Sequence, residues 1–285
     1  MSFYSNSIFI ITGAASGMGK AMTEQCLQNG ATVFALDIRA ELLQQLSQRF
    51  PNAHLHTQIL DVSDATAIAD FADRTIPLLN GKTLVLINNA GVALATGRFI
   101  DTPLSDFEWL LNINLWGVIR MTKAFLPYML KTQKGRIVNL SSVFGLAGVA
   151  NQSAYSTSKF GVRGFSDVLR MELHDTPIKV TTVHPGGVKT NITRFSKMGG
   201  KVFTSKMMEE TISRFDEIAK TSPEKAAGLI LKAAEKGQAR LIIGADGRLF
   251  EWITRLFPTA YIGMIKFGLE KRFGDIYDKH GIPKS

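Results

Sequence analysis

The sequence predicts an α/β fold: one parallel sheet covered by helices on both faces, followed by an apolar helical extension. Three observations carry this. Short apolar, β-branched runs alternate with amphipathic segments through most of the chain. A glycine-rich loop joins the first run to the first amphipathic segment. The 285 residues are enough to bury a large core, with 45% of them apolar and no repeat or low-complexity tract.

In chain order, the first strand is expected at 8–12 (IFIIT), followed directly by "TGAASGMG", Thr12 to Gly19, opening a helix. Further strands are expected at 32–37 (TVFALD), 83–88 (TLVLIN), 136–141 (RIVNLS), 178–184 (IKVTTVH) and 240–244 (RLIIG), with a weaker one at 54–60. Ser105 is placed to cap a helix that stops near Pro127. Ser222, Pro223 and Gly237 supply an N-cap, a first-turn proline and a terminal glycine for another. Two regions break the alternation. Residues 189–222 read as a long connection without a strand, and 246–285 as an apolar, aromatic tail. In that tail Leu249, Trp252, Ile253 and Leu256 fit one helical face, and Ile262, Ile265, Leu269 and Phe273 fit another beyond Pro258.

Composition excludes several classes. The net charge of +9 is spread without a dense basic run or interleaved aromatics, so nucleic acid is not an expected partner. A lone cysteine, Cys26, and five scattered histidines give no metal-ligand spacing. The longest charge-free run, 137–158, holds Asn139, Ser141, Ser142, Asn151, Gln152 and Ser153, too polar to span a membrane. No signal peptide is read at the N-terminus, and the expected location is cytoplasmic.

The chemistry begins at the glycine loop. Gly13, Ser16, Gly17, Met18 and Gly19 are candidate cofactor-binding residues, because glycines let backbone approach a pyrophosphate and a helix start offers free N–H groups and a positive dipole end. The spacing is GxxxGxG rather than GxGxxG. Asp37 ends the second strand, where a carboxylate can accept from the ribose hydroxyls of NAD and repel a 2′-phosphate. Arg39, two residues on, keeps NADP open. In "SAYSTSKFG", Tyr155 and Lys159 are four residues apart and share a helix face. That spacing alone fits a solvated surface pair as well as a proton donor with a neighbouring cation.

With "NNAG" at 88–91 and "PGGVKT" at 185–190 added, the sequence resembles the short-chain dehydrogenase/reductase family over about residues 6–245. The resemblance implies a Rossmann-like, doubly wound, seven-stranded sheet and hydride transfer between a nicotinamide cofactor and an alcohol or carbonyl. It implies Tyr155 as general acid/base, Lys159 as the residue that lowers its pKa and holds the nicotinamide ribose, and Ser142 as the hydroxyl on the substrate oxygen, with Ser141 as its nearby rival. Asn114 is similar to the asparagine that anchors a water between Lys159 and solvent. Asp61, with Val62 beside it, resembles the adenine contact, although an acid there could equally cap the next helix. Asn88, Asn89, Ala90 and Gly91 resemble the turn along the cofactor. Pro185, Gly186, Val188 and Thr190 resemble the segment under the nicotinamide.

The resemblance makes 1–245 the catalytic domain and 189–222 a cover over substrate. Between 189 and 208 that cover carries Lys189, Arg194, Lys197, Lys201 and Lys206 without an acid, and a Gly199–Gly200 pair. A homodimer or homotetramer built on helices at 105–126 and 152–174 is implied. The tail suggests a bulky lipophilic substrate, packing on the core or a partner subunit, or peripheral membrane contact through 248–274. The alternative to an enzyme is a dinucleotide-binding regulatory or membrane-docked interaction protein without turnover.

Overall fold

The computed structural model describes residues 2–199 and 204–273. Its elements are β1 (Ser7–Thr12), α1 (Gly17–Gln28), β2 (Thr32–Asp37), α2 (Ala40–Arg49), β3 (Leu55–Ile59), α3 (Ala65–Thr75), β4 (Thr83–Asn88), β5 (Leu94–Ala95), α4 (Leu104–Leu111), α5 (Gly117–Thr132), β6 (Gly135–Leu140) and α6 (Ser153–Glu172). They continue with β7 (Lys179–Pro185), β8 (Lys197–Met198), α7 (Ser205–Ile218), α8 (Pro223–Glu235), β9 (Arg240–Ile243), α9 (Ala245–Leu256) and α10 (Tyr261–Phe273).

Seven strands form one parallel sheet in the order β3-β2-β1-β4-β6-β7-β9. Chain order runs one way from β1 to β3 and the other way from β4 to β9, so the crevice of a doubly wound sheet lies at the carboxyl ends of β1 and β4. The inner strands read as largely apolar runs because both faces are covered, whereas the edge strand β3 is mostly exposed. Phe9 and Ile11 of β1 enter a core with Met22, Leu43 and Ile230, from α1, α2 and α8. Ile8 and Ile10 enter the other, with Phe71, Phe125 and Leu169 from α3, α5 and α6.

Several sequence expectations are corrected. Pro127 lies inside α5, which continues to Thr132. It sits on the solvent face, where water can satisfy the carbonyl that its missing N–H leaves free. Ser105 falls in the first turn of α4, whose N-cap is Pro103. The 189–222 connection is not bare: β8 pairs with β5, and α7 follows. Asp61 does not cap α3. Asp64 does, accepting from the N–H groups of Thr66 and Ala67, while Asp61 accepts from Ser63 N at 2.8 Å.

Leu249, Trp252 and Leu256 are exposed and only Ile253 of that face is half-buried. On α10 Ile262 is exposed and Ile265 half-buried. The side chains of Leu269 and Phe273, the lid residues Gly200 and Lys201, and the tail from 274 onward lie outside the described residues. Among the described residues no helix is long and apolar enough to cross a membrane.

Candidate active site

The glycine loop is built for close approach. Gly13 and Gly17 have φ of 63° and 50°, left-handed values that side chains resist. A Cβ on Gly13 would sit 2.9 Å from the Ala90 backbone, and one on Gly17 3.3 Å from Thr190. Helix α1 starts at Gly17 with no side-chain cap from Ser16 and no acid in its first turn. Its first N–H groups therefore remain available to an anion. Met18 packs against the core beneath the loop. Asn89 closes the loop from β4, its Nδ2 donating to the carbonyls of Thr12 (2.9 Å) and Gly13 (3.2 Å). Asn88 instead donates to Thr122 and Asn139 inside the sheet.

Asp37 is buried at the end of β2 and its carboxylate is fully engaged. It accepts from Ala15 N (3.0 Å) and from the Arg39 guanidinium on both oxygens (3.0 and 3.1 Å). Arg39 also donates to Ser16 Oγ at 2.7 Å, and its guanidinium lies 5.4 Å from the centre of the Phe195 ring. Asp61, by contrast, is exposed, with Val62 buried against Gly117.

A second cluster lies at the carboxyl ends of β4 and β6. Tyr155 and Lys159 stand one turn apart on α6, the Lys159 ammonium 5.6 Å from the centre of the Tyr155 ring. Lys159 Nζ donates to Leu140 O at 2.9 Å, and Ser141 Oγ donates to the Lys159 carbonyl at 2.8 Å. Ser142 Oγ accepts from Phe144 N at 3.1 Å and hydrogen-bonds toward the Tyr155 oxygen. Asn114 is wholly buried in a single π-turn, Asn112–Trp116, between α4 and α5. Its amide grips Val92, accepting from N at 2.8 Å and donating to O at 2.9 Å. A Cβ on Gly91 would come within 3.3 Å of Asn114 Oδ1 and 3.5 Å of Lys159 Nζ. The two side chains thus converge on that glycine.

Burial pushes the Tyr155 phenol up to about 12, with the Ser142 hydrogen bond opposing it, and burial brings Lys159 down to about 8. The dry surroundings that penalise phenolate at Tyr155 penalise ammonium at Lys159 as well.

Two groups that sequence reasoning missed brace this site. Asp246, at the start of α9, accepts from Gly187 N at 2.7 Å and pins the Pro185–Gly186–Gly187 turn, whose Gly186 N donates to Ile243 O. Gly247 beside it packs on Val143, next to Ser142. His184, fully buried on β7, holds the Ser142 carbonyl through Nδ1 at 3.0 Å. Val188 bridges to Thr221, and Thr190 meets Gly17. The cationic cover is tied down: Lys197 pairs with Asp106 at 2.7 Å and lies over Trp109, and Arg194 pairs with Asp216 at 2.6 Å. Nothing in a local motif announces such long-range partners. Among the described residues no three His, Cys, Asp or Glu groups gather as metal ligands.

The sequence model for short chain dehydrogenases matches residues 7–201. SadH of Mycobacterium tuberculosis, named as an oxidoreductase, is 34% identical over 279 residues, covering 96% of this chain and 99% of that protein. A closed form of serine dehydrogenase complexed with NADP+ superposes with a TM-score of 0.74 at 27% identity, over 83% of this chain and 93% of that one. A short-chain dehydrogenase/reductase from Burkholderia phymatum in complex with NAD has a TM-score of 0.79 at 23% identity, over 90% of this chain and 96% of that one, a likeness of fold. The chain belongs to the short-chain dehydrogenase family.

Proposed function

We propose that the protein is an NAD(P)-dependent oxidoreductase that moves a hydride between a nicotinamide cofactor and an alcohol or carbonyl, with Tyr155 as the proton-carrying group. The observation that carries this is the grouping of Tyr155 with Ser142 and Lys159, and of Lys159 with Asn114 at Gly91, at the strand ends beside the glycine loop. The residues fit a dinucleotide: an uncapped α1 start without an acid suits a pyrophosphate, and Asp37 ends β2 where an adenosine ribose would lie. When bound, the nicotinamide would supply or accept the hydride, between the 185–190 segment and the Tyr155 cluster. In the reducing direction Tyr155 gives its proton to the substrate oxygen. A phenol held protonated by burial suits that delivery. Ser142 hydrogen-bonds the same oxygen and steadies its developing charge. Lys159 holds the ribose, and Asn114 orders the backbone at Val92 behind it.

Tyr155 packs against an apolar cluster of Leu94, Leu110 and Ala154, against which Val92, Phe107 and Trp109 also pack, and Phe144 meets it edge to face. That supports a bulky lipophilic alcohol or carbonyl. We read 1–245 as the catalytic domain with 189–222 covering the substrate, and 246–285 as an extension. We also infer a cytoplasmic homodimer or homotetramer built on the helices at 105–126, within α4 and α5, and at 152–174, essentially α6, which exposes Phe160, Val168 and Met171.

Tyr155→Phe tests the enzyme reading. Turnover of a lipophilic carbonyl should fall by at least about a hundredfold with cofactor affinity nearly unchanged, whereas unchanged turnover would overturn the assignment. For cofactor identity we favour NAD, because Asp37 occupies the ribose-binding strand end. A specific observation favours NADP as the second reading: Arg39 neutralises that carboxylate, and its guanidinium reaches Ser16 at the start of α1. Titration of nicotinamide fluorescence with NADH and NADPH separates them. Tighter NADH supports the Asp37 reading, and tighter NADPH that is lost in Arg39→Ala overturns it.

A further inference from the structure

The cover is fastened beside the Tyr155 cluster by backbone and side chain together. Strand β8 pairs in parallel with β5, Lys197 N donating to Ala93 O at 3.1 Å and Gly199 N to Ala95 O at 3.2 Å. A ladder of two residues is marginal without side-chain support. Lys197 supplies that support, its Nζ 2.7 Å from Asp106 Oδ1 on α4 and 5.0 Å from the centre of the Trp109 ring, one turn further along the same helix. Gly199 closes over the other carboxylate oxygen: a Cβ there would sit 2.9 Å from Thr96 and inside contact distance of Asp106 Oδ2. Asp106 is left only 7% exposed, whereas the Lys197 side chain is 45% exposed. A carboxylate that deep needs its cation, because removing one partner leaves a buried charge unpaired.

We propose that Asp106 and Lys197 are positioning residues for the substrate, an ionic clasp that holds the cover against the wall on which Tyr155 rests. The substrate in question is the apolar alcohol or carbonyl of the oxidoreductase reading, on which this inference rests. Trp109, Phe107 and Tyr155 pack on one cluster of Leu94, Leu110 and Ala154, and Leu94 is the β5 residue that Lys197 faces across the ladder. The clasp thus joins the cover to Tyr155 through two shared neighbours, Leu94 and Trp109. Neither charged group acts on the reacting atoms. Losing the pair frees β8 from β5, lets water reach the Trp109 wall and removes surface against which a substrate chain packs. Binding lost in this way is common to the ground and transition states, so it raises KM and spares kcat. The penalty grows with the apolar area of the substrate. The Lys197 charge is engaged within the protein, which distinguishes a clasp from a cation that steers an anionic substrate.

The test combines amide hydrogen exchange of the full chain, which needs no turnover, with kinetics on butanone and decanone at saturating cofactor. In Lys197→Gln the N–H groups of residue 197 and Gly199 should exchange about fivefold faster or more. KM for decanone should rise about fivefold and KM for butanone less than about twofold, with kcat nearly unchanged for both. Lys197→Arg keeps the ion pair and should restore both readouts to near wild type. Asp106→Asn should repeat the pattern of Lys197→Gln, and if that buried substitution fails to fold, the half-exposed Lys197 decides. Unchanged exchange and an unchanged KM ratio in Lys197→Gln would overturn the proposal. So would an equal fall in kcat for both ketones, which would put Lys197 in the chemistry, or a loss in Lys197→Arg as large as in Lys197→Gln. Ketone turnover that survives Tyr155→Phe would remove the oxidoreductase reading and the positioning role with it, whereas faster exchange in Lys197→Gln would still establish the clasp.

Discussion

Adjacent serines at the end of β6 have different partners, and those partners divide their duties. Ser141 is turned inward, its hydroxyl donating to the Lys159 carbonyl at 2.8 Å. Ser142 faces the Tyr155 oxygen and takes the N–H of Phe144. Ser141→Ala is therefore expected to cost about 1 kcal/mol of stability and to leave the turnover rate nearly unchanged. Ser142→Ala should lower kcat by about a hundredfold or more while leaving the urea midpoint close to wild type. Steady-state kinetics and unfolding on the same two variants check this, and a larger kcat loss in Ser141→Ala would reverse the assignment. The sequence left these two serines as rivals because either could follow a strand; only the side each presents to α6 separates them.

At the scale of elements, α9 is more than an appendage. Its first residues carry Asp246 onto Gly187 N and Gly247 onto Val143, touching both the 185–187 turn and the loop after Ser142. Asp246→Ala leaves that N–H without its charged partner and frees the turn expected to lie under the nicotinamide. The expected result is a rise of several-fold in the cofactor's Kd, consistent with losing about 1–2 kcal/mol, and a KM effect larger than the kcat effect. An unchanged cofactor Kd would show that the turn holds itself. The inner strands were legible in the sequence because they are apolar or β-branched runs buried on both faces, and the Ser222–Pro223–Gly237 punctuation marked α8 correctly. Less legible were features decided by tertiary context. Pro127 is tolerated because it faces water, β5 and β8 are two residues each, and the charged lid segment finds Asp106 on α4 and Asp216 on α7. The Tyr155–Lys159 pair was visible as a spacing, but its electrostatics depend on burial that no spacing encodes.

At the scale of the whole molecule, a buried histidine couples the acid stability of the sheet to the geometry of the site. His184 has no exposed surface, and Nδ1 contacts the Ser142 carbonyl while Nε2 has no hydrogen-bond partner among the described residues. Arg163 and Arg170 on α6 and Arg240 on β9 add positive charge around it, and burial together with those charges lowers its pKa to about 3. The folded value lies below the ordinary 6.5, so the unfolded chain binds the proton more tightly. The neutral histidine's stability contribution is thus fully present above 6.5 and is lost as pH falls toward 3. At about 1.4 kcal/mol per unit of pKa difference, the loss between neutrality and pH near 4 is on the order of 3 kcal/mol. His184→Asn retains a donor for the Ser142 carbonyl and cannot take up a proton. Urea unfolding near pH 7 and near pH 4 should therefore show a smaller acid loss in that variant than in the wild type. Equal losses in the two proteins would place the acid sensitivity elsewhere in the chain, and a variant equally stable at both pH values would make His184 its main source.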